Sequence, residues 1–213
     1  MRIIAGQFRG RRLAPPPGRQ TRPITDRVKV SLFSMLDPFL PGSAVADLFC
    51  GTGSFGLEAL SRGARHCWLA ELDHAALAAL RRNIEMLGVA DQVTLWRGDI
   101  LRRLEGWLTE LPGPLDIISL DPPYEMARQW FGREPTGEEE ERPLRRREEK
   151  AQQEGARVLA ALAGVLAPEG LIILRMPRDV HVADLPAGLV EGRRREYGSM
   201  ALSFLRRTSD RPA

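Results

Sequence analysis

Three observations predict an α/β chain built on a doubly wound, mostly parallel sheet. Short apolar runs alternate with helix-patterned segments from residue 44 to residue 176. Repeated β-α units of that length close as parallel strands with helices on both faces. A glycine turn, Gly51-x-Gly53-x-x-Gly56, follows the first run, where the backbone can bend sharply and a ligand can approach it closely. Four acids, Asp47, Glu71, Asp99 and Asp121, fall at or just after the ends of four successive strands, the edge where such sheets collect ligands. A small N-terminal β-hairpin with an extended arm and a C-terminal antiparallel hairpin complete the expected fold.

Residues 1–25 join β-like pieces, beginning Met1-Arg2-Ile3-Ile4, to Gly6, Gly10, Pro15, Pro16, Pro17, Gly18 and Pro23. Such a stretch makes a hairpin followed by a polyproline-like linker. Val28, Leu32, Phe33 and Leu36 then recur at helical spacing, with Thr25 or Asp26 as cap and Pro38 and Pro41 as stops. Residues 44–48 form the first strand and 55–62 the helix behind the turn. Residues 66–71 form the second strand, followed by a helix at 75–87 that Gly88 ends. A third strand at 93–96 leads to a helix at 100–108. The run at 115–120 is apolar enough to be buried on both faces. A helix at 156–166 stops at Pro168 and Gly170, before a fifth strand at 171–176. Residues 189–197 and 200–206 flank Gly198 and Ser199 as a closing hairpin.

Residues 132–154 break the rhythm, with four glutamates at 138–141 and three arginines at 145–147. They read as a solvated insertion, either a flexible loop or an isolated charged helix, or as an RNA contact through the arginines. The organisation is a basic hairpin and linker over 1–25, then one domain over 26–213 that carries the insertion.

The 213 residues are long enough to bury a sizeable core, and 43% of them are hydrophobic. No apolar run can span a bilayer and no signal peptide opens the sequence, so a cytoplasmic protein without membrane partners is expected. Cys50 and Cys67 read as reduced thiols, and Cys50 lacks a paired base that would make it catalytic. His66, His74 and His181 show no ligand spacing, so no metal is expected. Nothing suggests a dimer seam, and a monomer is expected. Net charge is +3, yet the first 36 residues hold eight arginines and lysines against the single acid Asp26. A basic arm on a near-neutral body suits a grip on a phosphate backbone.

The glycine turn fits the dinucleotide fingerprint as a bare pattern, with Glu71 at the distance of a ribose contact. Asp47 argues against that reading, because a carboxylate just before the turn repels a pyrophosphate. It would welcome the sulfonium and amino group of S-adenosylmethionine. No Gly-Lys-Ser/Thr follows the turn, which removes the phosphate-loop reading. The second motif is Asp121-Pro122-Pro123-Tyr124 at the end of the fourth strand. Its two prolines fix an extended turn and withhold backbone donors, leaving carbonyls free as acceptors. Tyr124 offers a flat ring for stacking on a base. An exocyclic base amine is a poor nucleophile, since its lone pair is delocalised into the ring. A carboxylate and a carbonyl accepting its two N–H bonds could draw that pair out and hold nitrogen in line with a methyl donor.

Asp121-Pro122-Pro123-Tyr124 resembles the catalytic motif of S-adenosylmethionine-dependent amino-methyltransferases of nucleic acid bases, and Asp47-Leu48-Phe49-Cys50-Gly51-Thr52-Gly53 is similar to their cofactor motif. Arg2 to Arg11, Arg22 to Val28 and Gly56 to Ala64 narrow the resemblance to bacterial small-subunit ribosomal RNA guanine-N2 methyltransferases of the RsmD type. The likeness runs on to Arg195-Glu196-Tyr197-Gly198. The charged insertion and Arg175-Met176-Pro177, where an acidic residue would be expected, depart from it. The resemblance implies a Rossmann-like class I methyltransferase fold, S-adenosylmethionine as cofactor and 16S ribosomal RNA, or an assembling small subunit, as partner. It implies that Asp47 and the backbone of Gly51 and Gly53 hold the methionine part, Glu71 the ribose, and Asp99 with Ile100 the adenine, with Phe49 also among the cofactor-binding residues. Thr25, Asp26 and Arg27 would close the pocket. Asp121, Pro122, Pro123 and Tyr124 would present the guanine amine, and Arg9, Arg11, Arg12 and Arg22 would grip the RNA. The target base must be unpaired or flipped out of its stack to reach a buried cofactor.

Three other readings share some of these features. A DNA adenine or cytosine amino-methyltransferase would carry both motifs, but no separate domain is present to read duplex grooves. An NAD-dependent oxidoreductase would use the glycine turn alone. A non-catalytic RNA-binding assembly factor would not need the Asp-Pro-Pro-Tyr motif.

Overall fold

The apolar runs settle into a sheet whose two faces are read off the alternation of each strand. The computed structural model describes residues 1–16, 25–132, 146–182 and 184–208. In chain order its elements are α1 (Asp26–Leu36), β1 (Ala44–Leu48), α2 (Ser54–Ser61), β2 (His66–Glu71), α3 (His74–Leu87), β3 (Val93–Arg97), α4 (Ile100–Thr109), β4 (Leu115–Leu120), α5 (Tyr124–Phe131), α6 (Arg146–Val165), β5 (Leu166–Pro177), β6 (Leu189–Tyr197) and β7 (Met200–Arg207). Among the described residues these strands make one sheet in the order β3-β2-β1-β4-β5-β7-β6. The first five are parallel, β7 runs antiparallel to β5, and β6 antiparallel to β7. The doubly wound sheet with its closing hairpin is therefore as expected.

Strand periodicity sends successive side chains to opposite faces. Val45, Cys67, Leu69, Ile117, Ile173, Leu202 and Phe204 pack with α1, α2, α3 and the N-terminal hairpin. Ala46, Leu48, Trp68, Ile118, Leu120, Ile172 and Leu174 pack with α4, α5 and α6. Both faces of β1 and β4 are covered, which is why these central strands carry little polarity, while the edge strand β6 is charged and largely exposed. Chain order reverses at β1, which has β2 on one side and β4 on the other. Such a switch point opens a crevice at the carboxyl ends of its strands.

The N-terminal residues form a small antiparallel loop joined by an Arg2–Arg12 bridge, with Ile3 and Leu13 buried beneath it. This loop is docked along α2. The Ile4 and Ala5 amides donate to Glu58, and those of Gln7 and Phe8 to the Ser61 carbonyl and Oγ. The arm's linker and Arg22 lie outside the described residues.

Two features differ from expectation. Tyr124–Phe131 is a helix, because Pro123 sits at its N-cap, where a missing N–H costs nothing. Residues 146–154, part of the expected insertion, are the exposed first half of α6 and run without a break into the core helix. Gly155 lets that helix close on Trp130 of α5, since a Cβ there would lie 2.7 Å from the Trp130 Cβ. Residues 133–145 lie outside the described residues.

Candidate active site

β1 delivers Asp47 into the crevice with only 2% of its surface exposed. Its carboxylate accepts the Gly56 N–H at 3.0 Å, at the start of α2. A side chain at Gly56 would drive a Cβ to 2.4 Å from Leu69 Cδ2, so glycine is what lets the helix approach. Gly53 turns the chain into α2 at φ 80°, and Phe49 ahead of it is held at φ 62°. A bulky residue in the left-handed region is strained, and such strain gathers at ligand sites. Burial pushes the Asp47 carboxyl up to about 7, against its Gly56 and Ser119 hydrogen bonds.

β2 ends at Glu71, whose carboxylate ties the turn together. One oxygen accepts the Gly51 N–H at 2.8 Å, and the other accepts the Leu72 and Asp73 amides, both at 2.8 Å. Asp73 in turn caps α3 by accepting from Ala76. On the other side of the switch point, the Asp121 N–H donates to the Leu48 carbonyl, which clamps β4's end to β1. Burial raises the Asp121 carboxyl to about 6, and Arg175 pulls it back.

These ends enclose a cavity of about 410 Å³. Of the residues expected from sequence, Asp47, Phe49, Gly51, Glu71, Asp121, Pro122, Pro123 and Tyr124 line it. The others among the described residues stand outside that lining. Thr25 caps α1 by accepting from Val28, Asp26 pairs with Arg2 at 2.8 Å, and Arg27 is exposed. Gly53 lies behind the turn against Leu80. Asp99 caps α4 through the Leu101 amide, and Ile100 is buried against Leu104 and Val158. Arg9, Arg11 and Arg12 are exposed on the docked hairpin.

Sequence reasoning missed Thr52, Asp73, Ser119 and Arg175, all of which line the cavity. Asp73 could have been found as the cap preceding a helix. Arg175 reaches Asp121 only through strand register, which a single sequence does not display.

The donor set suits a ligand that is cationic at one end and carries hydroxyls. Asp47, Glu71 and Asp73 are acceptors, Phe49 and Ala76 are apolar walls, and the buried Thr52 hydroxyl has no partner among the described residues. An acid-lined pocket of this kind disfavours a pyrophosphate and fits S-adenosylmethionine.

Comparison with known proteins places the chain. Residues 1–131 match the family described as conserved hypothetical protein 95. A Bacillus subtilis protein named as a candidate rRNA methyltransferase, YlbH, is 40% identical over 58% of this chain and 67% of its own length. The ribosomal RNA small subunit methyltransferase D of Escherichia coli K12 is 36% identical over 58% of this chain, and the alignment spans about 60% of that relative. Among solved structures, a candidate methyltransferase of Escherichia coli, yhhF, superposes with a TM-score of 0.72 at 28% identity, over 99% of each chain. Sequence match and fold agree, and the chain belongs to the conserved hypothetical protein 95 family.

Proposed function

We propose that the protein is an S-adenosylmethionine-dependent methyltransferase acting on the exocyclic N2 amine of a guanine in 16S ribosomal RNA, as a cytoplasmic monomer. One observation carries this reading: the glycine turn with its acids and the Asp-Pro-Pro-Tyr motif open into the same cavity across the switch point. The names of the relatives support methylation of small-subunit RNA.

Glu71, Asp73, Thr52 and the backbone at 49–51 would hold S-adenosylmethionine, with Asp47 beneath the turn. Bound there, the cofactor supplies an electrophilic methyl group. Asp121 and the Pro122 carbonyl accept the two N–H bonds of the base amine and localise its lone pair. Tyr124 stacks on the base, and the cavity walls exclude water from the reacting nitrogen. When nitrogen gains the methyl it loses a proton, which the Asp121 carboxylate can take because its affinity for protons is raised. The exposed arginines of the hairpin supply phosphate contacts.

The test is transfer of labelled methyl from S-adenosylmethionine to small subunits, free ribosomal RNA and duplex DNA, followed by nucleoside analysis. N2-methylguanosine from ribosomal material is the expected product. Label in DNA adenine or cytosine would keep the cofactor and replace the target. Cofactor binding with no transfer to any of the three would favour an assembly factor.

A further inference from the structure

Strand register brings Arg175 to Asp121. β4 and β5 pair in parallel with Leu120 beside Leu174. The next residue on each strand therefore leaves the sheet edge beside its neighbour and toward the same face. Arg175 Nε lies 2.8 Å from Asp121 Oδ1, with both side chains mostly buried and both lining the cavity. The Nε–H points off the oxygen, so the contact is an ion pair rather than an aligned hydrogen bond. Asp47 on β1, Ser119 on β4, Tyr124 at the start of α5 and Arg175 on β5 share this corner of the cavity. Of these four, Arg175 carries the positive charge.

We infer that Arg175 is a positioning residue: its guanidinium keeps the Asp121 carboxylate ionised and turned to the cavity, ready to accept the N–H of the substrate amine. This rests on the proposed role of Asp121. The corner otherwise works against an anion, because burial disfavours the charged carboxylate. Without the cation, the carboxyl would hold its proton at neutral pH. A protonated carboxyl turns one oxygen into a donor and loses acceptor capacity on the edge that must receive the amine. Arginine suits the task because it stays charged when buried, where lysine can lose its proton.

Carboxyl-labelled aspartate (carbon-13) in the full chain, titrated by NMR, reads the pair without needing turnover. In the wild-type protein one carboxyl titrates near 6 and is missing from Asp121→Asn, which assigns it. In Arg175→Met that titration moves up by about 1–3 pH units, and Arg175→Lys restores most of the difference. The acidic limb of the kcat profile for methyl transfer to ribosomal RNA moves with it, while the affinity for S-adenosylmethionine stays constant. An unchanged titration in Arg175→Met overturns the inference, as does a shifted titration with an unmoved limb. If the methionine variant does not fold, Arg175→Gln keeps the polarity and removes the charge. Failure of the proposed function looks different: full turnover by Asp121→Asn, or no transfer by the wild type, with the NMR result still deciding the ion pair.

Discussion

Two groups of carboxylates are buried in this protein, and they are treated in opposite ways. Glu58 in α2 is fully buried, and each of its oxygens has two partners. Oε2 takes the Ile4 amide at 2.8 Å and Lys29 Nζ at 3.0 Å; Oε1 takes the Ala5 amide at 3.0 Å and Arg62 Nε at 2.8 Å. Lys29 completes its own set on the Arg2 carbonyl and Ser54 Oγ. Arg62 also reaches Asp37 at 2.7 Å and lies over the Phe33 ring. Asp47, also buried, and Asp121, mostly buried, have fewer donors and titrate at about 7 and about 6. Saturation makes Glu58 a clasp joining the hairpin, α1 and α2. Under-satisfaction leaves the sheet-edge acids ready for a ligand's donors.

The largest expected effect breaks the clasp. Glu58→Ala strands the buried Lys29 without its paired carboxylate, leaves Arg62 to Asp37 alone and frees two amides, and should destabilise the fold by about 3–5 kcal/mol. Chemical denaturation measures it, and a loss below about 1 kcal/mol would mean that water repairs the site. Asp121→Ala should do the reverse. It removes an under-satisfied carboxylate but leaves the part-exposed Arg175 without its partner, so the stability loss is smaller than for Glu58→Ala, while methyl transfer falls by about 10²–10⁴. Retained turnover would show that the carboxylate is not part of the chemistry.

The same contrast appears as pH dependence. Asp47 and Asp121 both titrate higher in the folded chain than their ordinary value of 3.8, so the folded chain holds protons that the unfolded chain has released. Their contribution to stability is full below pH 3.8 and is lost as pH rises through about 6 and about 7. Asp47→Asn cannot titrate, so the fall in melting temperature between those limits should shrink. An unaltered slope would place the titration elsewhere.

How far the sequence reveals these groups follows from where their partners lie. The parallel strands were legible because burial on both faces leaves apolar runs, and Asp47, Glu71 and Asp121 because strand ends can be counted. Helix α5 was hidden by Pro122-Pro123, which read as a turn while in fact starting a helix. The first half of α6 was hidden because its charged residues face solvent and give no apolar phase before Val158. Glu58 and Arg175 look ordinary in sequence. Ile4 lies 54 residues from Glu58 and Asp121 lies 54 from Arg175, and only packing and register bring them together.

Asn83 falls between the two extremes. Buried in α3, it accepts the Ala14 amide at 2.7 Å and donates to the Thr52 carbonyl at 3.0 Å, stitching the end of the hairpin to the glycine turn. Asn83→Ala leaves both groups unpaired and should cost about 1–3 kcal/mol, read by thermal melts. Because Thr52 and Pro16 both line the cavity, cofactor affinity should weaken as well. A loss of stability with affinity intact would separate the hairpin from the pocket.

The smallest effect sharpens the comparison at Thr25, for which resemblance and geometry give different roles. The resemblance makes it one of the residues that close the cofactor pocket. In the structure its hydroxyl caps α1, accepting from Val28 at 3.4 Å, and it does not line the cavity. A cap of that length should lose about 0.5–1 kcal/mol in Thr25→Ala, and Thr25→Asp should restore it, since aspartate caps as well and its charge suits a helix N-terminus. Affinity for S-adenosylmethionine should be unchanged in both variants. The opposite pattern, with stability constant and affinity reduced, would mean that the segment before α1 moves onto the ligand when it binds, and would move Thr25 from the satisfied group of residues to the waiting one.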